Sequence, residues 1–250
     1  MSISRDSFDV LWVSGSPSLR CFSMPLIKRL ARHTDISGWE YFQSLDEPAC
    51  MDTAVELLHT YVKIKNFPIH LIGHGIGGTI ALMFSRQYPQ FVSSLTLLSV
   101  AAQPANTWHV NYYQQRKIYN LSREEALLNT IHHLFREETI YYPQKLLNKL
   151  NRDLNNLPLM HSIFDIEKLP PGGTDVPLML CGGQIDPILS NMDLCKWKKW
   201  LKPTDKIWEC PEGSHFFHSF FPDLVEEEIL KFWNTKQNKT QKNDLAQTRI

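Results

Sequence analysis

The stretch Leu71-Ile72-Gly73-His74-Gly75-Ile76-Gly77-Gly78 constrains the fold of this chain more than any other. It joins a short apolar run, Pro68 to Ile72, to a segment from Thr79 to Tyr88 with helical patterning that Pro89 stops. Glycines at this density let a chain pass from strand to helix in a very tight turn, and they let the two elements approach at backbone distance. A phosphate-binding loop has a related form, because a helix N-terminus welcomes anions. The spacing here matches neither the dinucleotide fingerprint nor a P-loop, and no Lys-Ser/Thr pair follows it.

The flanking sequence alternates in the same way. Residues Phe8 to Val13 read as a strand that ends in the turn cluster Ser14-Gly15-Ser16-Pro17, with a short helix from Pro25 to Leu30 and a second strand from Trp39 to Phe42. Thr53 and Glu56 form a possible capping box, followed by apolar residues at helical spacing through Val62. Val92 to Ala101 is a further β-branched, apolar run. This order implies right-handed crossovers and a parallel sheet. From about residue 106 to 171 the alternation breaks. Ser122 and Glu125 open an amphipathic helix there, Pro143 to Leu150 reads as another, and the whole is expected to form a helical cap above the sheet. Strands from Val176 to Cys181 and Lys206 to Cys210 then alternate with helices from Asp193 to Leu201 and Pro222 to Phe232. The expected fold class is α/β, a mostly parallel, doubly wound sheet in one domain over residues 1–235, with residues 236–250 as a polar, flexible tail.

The totals fit that plan. A chain of 250 residues suits a single α/β domain, and equal numbers of basic and acidic side chains, 26 each, argue against nucleic acid or an anionic membrane surface as partner. No apolar run approaches a membrane span. Five scattered cysteines and the absence of a signal-peptide layout point to reduced thiols and a cytoplasmic location. His132-His133 lacks a partner at metal-ligand spacing, so neither a metal nor another cofactor is expected.

In combination these segments resemble the α/β-hydrolase superfamily, from about Phe8 to Phe232. That family carries its nucleophile on a strand-to-helix elbow, usually Gly-x-Ser-x-Gly. Gly73 and Gly77 match the flanking glycines and His74 is a common neighbour, but the nucleophile position holds Gly75, which has no side chain. The resemblance maps the catalytic acid onto Asp186 in Gly182-Gly183-Gln184-Ile185-Asp186-Pro187, and the histidine onto His215 in Gly213-Ser214-His215-Phe216. It also implies oxyanion or ligand contacts from Ser14 and Gly15 and from the Ile76 amide, and a sheet trimmed by about two strands at its start. The elbow residue should sit at positive φ, which glycine adopts without steric cost.

Two functions remain open at this point. One is a pseudo-hydrolase without catalysis that binds a small apolar or aromatic ligand, or a protein partner. The other is an enzyme that uses His215, oriented by Asp186, as a general base for hydrolase, lyase or cofactor-free oxygenase chemistry. Attack by Ser14, Ser16 or Thr79 is disfavoured, because none occupies the elbow tip.

Overall fold

Six parallel strands form one sheet: β1 (Val10–Ser14), β2 (Ile36–Glu40), β3 (Ile69–His74), β4 (Val92–Leu98), β5 (Leu178–Gly183) and β6 (Lys206–Cys210). Their order is β2-β1-β3-β4-β5-β6, so the chain winds outward in both directions from the centre. This computed structural model describes residues 9–42, 50–65, 67–136, 142–156 and 169–247, with side chains as far as residue 234. Phe8 of the expected first strand, and positions 137–141 and 157–168 of the expected cap, lie outside the described residues.

The strands divide their side chains between two apolar layers, as the two-residue period of a strand buried on both faces requires. Leu11, Val13, Leu71, Leu95, Leu97, Leu178 and Leu180 enter one core, together with α2 (Met51–Val62) and α3 (Gly75–Gln87). Val10, Trp12, Ile72, Leu98, Met179 and Cys181 enter the other, against α1 (Arg20–Leu30) and α9 (Pro222–Gln247). Between β4 and β5 the chain inserts α4 (Trp108–Tyr119), α5 (Arg123–Leu134) and α6 (Pro143–Asn156), which share a third cluster with Leu19, Ile188 and Phe216. Two short helices, α7 (Asn191–Cys195) and α8 (Phe217–Phe220), follow β5 and β6.

The expected elements are present with shifted ends. α1 begins at Arg20 and contains Pro25, and β2 spans Ile36–Glu40, not 39–42. α2 starts at Met51, ahead of Thr53, so the Thr53–Glu56 capping box is not formed. The Ser122–Glu125 box is: Ser122 Oγ accepts from the Glu125 amide at 3.3 Å, and Glu125 Oε2 accepts from the Ser122 amide at 2.8 Å. α9 continues to Gln247, into the segment read as a tail, and neither Pro nor Gly follows Pro222 to stop it.

The return from the insertion to β5 is held from α3. Arg86 donates through Nε to the Gly173 carbonyl at 2.9 Å, through Nη1 to the Pro170 carbonyl at 2.9 Å, and through Nη2 to the Gly172 carbonyl. Ser85 Oγ donates to Thr174 Oγ1 at 3.1 Å beside it. No helix among the described residues is long and apolar enough to cross a membrane.

Candidate functional site

β3 ends in extended backbone at His74 (φ −108°, ψ 138°), and α3 begins at once with Gly75 at φ +51°. The glycines around this bend have different causes. A Cβ on Gly73 would lie 2.6 Å from the Gly78 backbone, one on Gly77 would lie 2.3 Å from the Val13 carbonyl, and one on Gly78 would lie 2.5 Å from Val100 Cγ2. Those three are glycine because strand and helix touch there. A Cβ on Gly75 would meet no heavy atom within 4 Å. A side chain therefore fits at position 75, but only in the left-handed conformation, which costs an L-residue about 1–2 kcal/mol. The positive φ expected for the elbow is found.

Asp186 follows β5 and His215 follows β6. The two loops are drawn together at Gly183, where a Cβ would lie 2.3 Å from the Gly213 carbonyl, and the Ile185 amide donates to that carbonyl at 3.0 Å. Both side chains are buried, and His215 Nδ1 lies 2.8 Å from Asp186 Oδ2. The other carboxylate oxygen accepts from the amides of Ile188 at 2.8 Å and Leu189 at 3.1 Å. A carboxylate at Nδ1 places the ring proton there, which leaves Nε2 as the acceptor of a neutral imidazole. Nε2 is buried and has no hydrogen-bond partner among the described residues.

The elbow and the histidine loop are in direct contact. His74 Nε2 donates to the His215 carbonyl at 3.1 Å, and Ser99 Oγ donates to the same oxygen at 2.9 Å. Ser99 itself holds φ +49°. The His74 ring lies 5.0 Å from that of His215 and 4.6 Å from that of His218. Burial first, then the neighbouring imidazoles of His218 and His215, holds His74 well below the ordinary histidine range. Burial and His215 push His218 down to about 3. These rings stay neutral in the folded protein.

The turn after β1 closes the other side. A Cβ on Gly15 would lie 2.7 Å from Ile76 Cγ2, so the expected contact residues Ser14 and Gly15 sit directly against the start of α3 and Ile76. A cavity of about 20 Å³ lies here, lined by Ser14, Ser16, Ser23, His74, Gly75 and Ile76 and by the aromatic residues Trp12, Trp108 and Phe216. That volume is on the order of one water molecule. A larger cavity of about 320 Å³ opens beside it between α1 and the edge strand β2, and shares Trp12 and Ser14. Asp186, His215, His74, Gly75, Ile76, Ser14 and Gly15 thus fall in one region at the C-terminal ends of the strands. No group of three or more His, Cys, Asp or Glu that could hold a metal occurs among the described residues.

The structure also contains a second buried His–Asp pair that the sequence reading missed. His109 of α4 and Asp153 of α6 are each 1% exposed, with Nε2 and Oδ2 3.0 Å apart. His109 Nδ1, Asp153 Oδ1 and Tyr112 Oη are buried without partners among the described residues. The available signal was polar residues on apolar helix faces: the buried set of α4 is Trp108, His109, Tyr112 and Gln115, and that of α6 is Leu150, Asp153 and Leu154.

Comparison with known proteins gives relatives at two levels. An uncharacterized protein of Nostoc sp. is 46% identical over 92% of each chain, and one of Synechocystis sp. is 35% identical over 92% of each. Among solved structures, a meta-cleavage product hydrolase from Pseudomonas fluorescens superposes with a TM-score of 0.67 over 91% of this chain and 90% of its own, at 11% identity. No family model matches the chain.

Proposed function

We propose that this chain, which has the α/β-hydrolase fold, is a member of that superfamily without an acyl-enzyme step, which binds a small ligand at the elbow. The reading rests on one observation: residue 75 keeps the left-handed elbow conformation, with open space where a side chain would stand, but is glycine. Loss of a nucleophile costs about 10⁶-fold in enzymes of the serine type, and leaves only oxyanion contacts and positioning. The residues assigned to the ligand are Ser14, Gly15, His74 and Ile76, with Asp186 and His215 beneath them. The aromatic lining suits an apolar or aromatic guest under a helical cap formed by α4 to α6, and a protein partner is the other form of the same reading. A cytoplasmic location accords with five free thiols.

A second reading is favoured by a specific atom. His215 Nε2 is an acceptor with no partner among the described residues, and its tautomer is set by Asp186. Such a group can take a proton from water or from a bound substrate, which contributes about 10²–10⁴-fold.

The test combines a serine-directed phosphonate probe, a panel of short acyl esters and thermal melts with candidate ligands. The unmodified protein should show neither labelling nor ester turnover. Gly75→Ser should gain both, because the space and the dyad are already in place. His215→Ala should remove the new activity, and a ligand-induced melting shift should survive in the unmodified protein. Turnover in the unmodified protein that His215→Ala abolishes would establish the second reading. Phosphonate labelling of any serine in the unmodified protein would sink both.

A further inference from the structure

We propose that the buried His109–Asp153 pair sets the size of the chamber over Gly75 by fixing Trp108 in its wall, and so admits only a compact, uncharged oxygen-bearing group such as a hydroxyl. This rests on reading that chamber as the ligand site. Trp108 lines it, and Trp108 and His109 are adjacent, with ring centroids 3.8 Å apart at an interplanar angle of 30°. His109 is bonded to Asp153 on α6, so the bond ties the helix that carries the wall to a second helix. Leu19 and Phe216 join the arrangement at both ends: they line the chamber and belong to the apolar cluster that holds Trp108, Leu150 and Leu154. The wall therefore cannot retreat unless the pair breaks or the cluster is repacked.

Stability alone does not account for the pair. A buried polar pair seldom holds two helices better than apolar side chains of the same shape, and each buried polar atom left unpaired is a cost. Here His109 Nδ1, Asp153 Oδ1 and Tyr112 Oη are all unpaired among the described residues. A directional bond that fixes one distance gives the arrangement a use that an apolar contact would not serve. The chamber of about 20 Å³ admits one or two heavy atoms of a guest. Its lining combines Ser14, Ser16 and Ser23 with aromatic rings and contains no Asp, Glu, Lys or Arg, which matches a neutral oxygen.

The experiment uses the full chain with Gly75→Cys as a reporter. Thiol modification at position 75 is followed by peptide mass spectrometry with methyl methanethiosulfonate, which leaves two heavy atoms on the sulfur, and with a bulky aryl maleimide. The protein's own thiols serve as controls: Cys21 is exposed, and Cys181 and Cys210 are buried. In the reporter alone, methyl methanethiosulfonate should react and the maleimide should be discriminated against. Asp153→Asn or, if that variant folds poorly, His109→Gln should raise the maleimide rate at position 75 by about tenfold or more, as expected for an opening eased by one unit of log K. Cys181 and Cys210 should remain protected. An unchanged ratio of the two reagents overturns the inference, and so does a rise at position 75 that appears only together with the buried thiols, since that marks general loosening. Because thiol modification requires no ligand, a protein that binds no small molecule but shows the altered ratio fails the proposed function while the pair's control of the chamber stands.

Discussion

The two buried His–Asp pairs have similar contact distances, 2.8 Å for His215–Asp186 and 3.0 Å for His109–Asp153, but the structure completes only one of the carboxylates. Asp186 gives one oxygen to the imidazole and the other to two backbone amides, so its orientation is fixed by a loop that cannot turn without losing them. Asp153 has a single bond, and its second oxygen is unpaired among the described residues. The first pair is bound into backbone through its carboxylate, while in both pairs the second ring nitrogen is buried without a partner among the described residues. The second spans two helices, with no backbone amide on its carboxylate among the described residues. Their difference shows that a His–Asp contact is informative only together with what holds the far side of the carboxylate.

The comparison can be broken most forcefully at Asp153. Asp153→Ala should destabilise the fold by up to about 3 kcal/mol in denaturant melts, because it leaves a buried imidazole nitrogen without its partner. His109→Phe with Asp153→Leu should recover most of that loss, whereas the matching double replacement of His215 and Asp186 should not, since the Ile188 and Leu189 amides would still lack an acceptor. Asp186→Asn should cost about 1.5–3 kcal/mol, the worth of a bond to a charged group. It should also move the His215 proton from Nδ1 to Nε2, which nitrogen NMR of the ring would report.

The third effect is a pH slope. His218 is pushed down to about 3 by burial, below its unfolded value, so its contribution is intact above pH 6.5 and is lost as the pH falls from there towards 3. The loss is about 1.4 kcal/mol per pH unit, and His218→Phe should flatten the slope of stability against pH by one proton in that window. The smallest effect is at Ser99. Ser99→Ala removes one of two bonds to the His215 carbonyl and should cost about 1 kcal/mol, with His74 still holding the loop.

Much of this was legible in the residues. The elbow could be read because dense glycines between a strand and a helix leave few other arrangements, whereas Asp186 and His215 were singled out through the resemblance to the α/β-hydrolases, since an Asp or a His in a loop carries no pattern of its own. The edge strand β2 was placed too late because Ile36-Ser-Gly-Trp-Glu is only partly buried and carries little apolar alternation. α1 was started too late because Pro25 reads as a helix start, while in the fold a preceding 3-10 turn at Pro17–Leu19 launches the helix earlier. The His109–Asp153 pair was not legible. Its members are 44 residues apart, and only packing of α4 near α6 brings them together.

Arg86 has a consequence for engineering. Irregular backbone normally satisfies its carbonyls through its own neighbours, but here one guanidinium reaches the carbonyls of Pro170, Gly172 and Gly173 from a helix of the scaffold. The anchor reads main-chain oxygens, and what it asks of the sequence is two glycines: Gly172 sits at φ +154°, and a Cβ on Gly173 would lie 2.8 Å from the Trp200 carbonyl. The segment between Leu98 and Leu178 is in that sense a socketed module. A replacement of different sequence and length that keeps Pro170 to Gly173 would return along the same three carbonyls without redesign of the elbow helix.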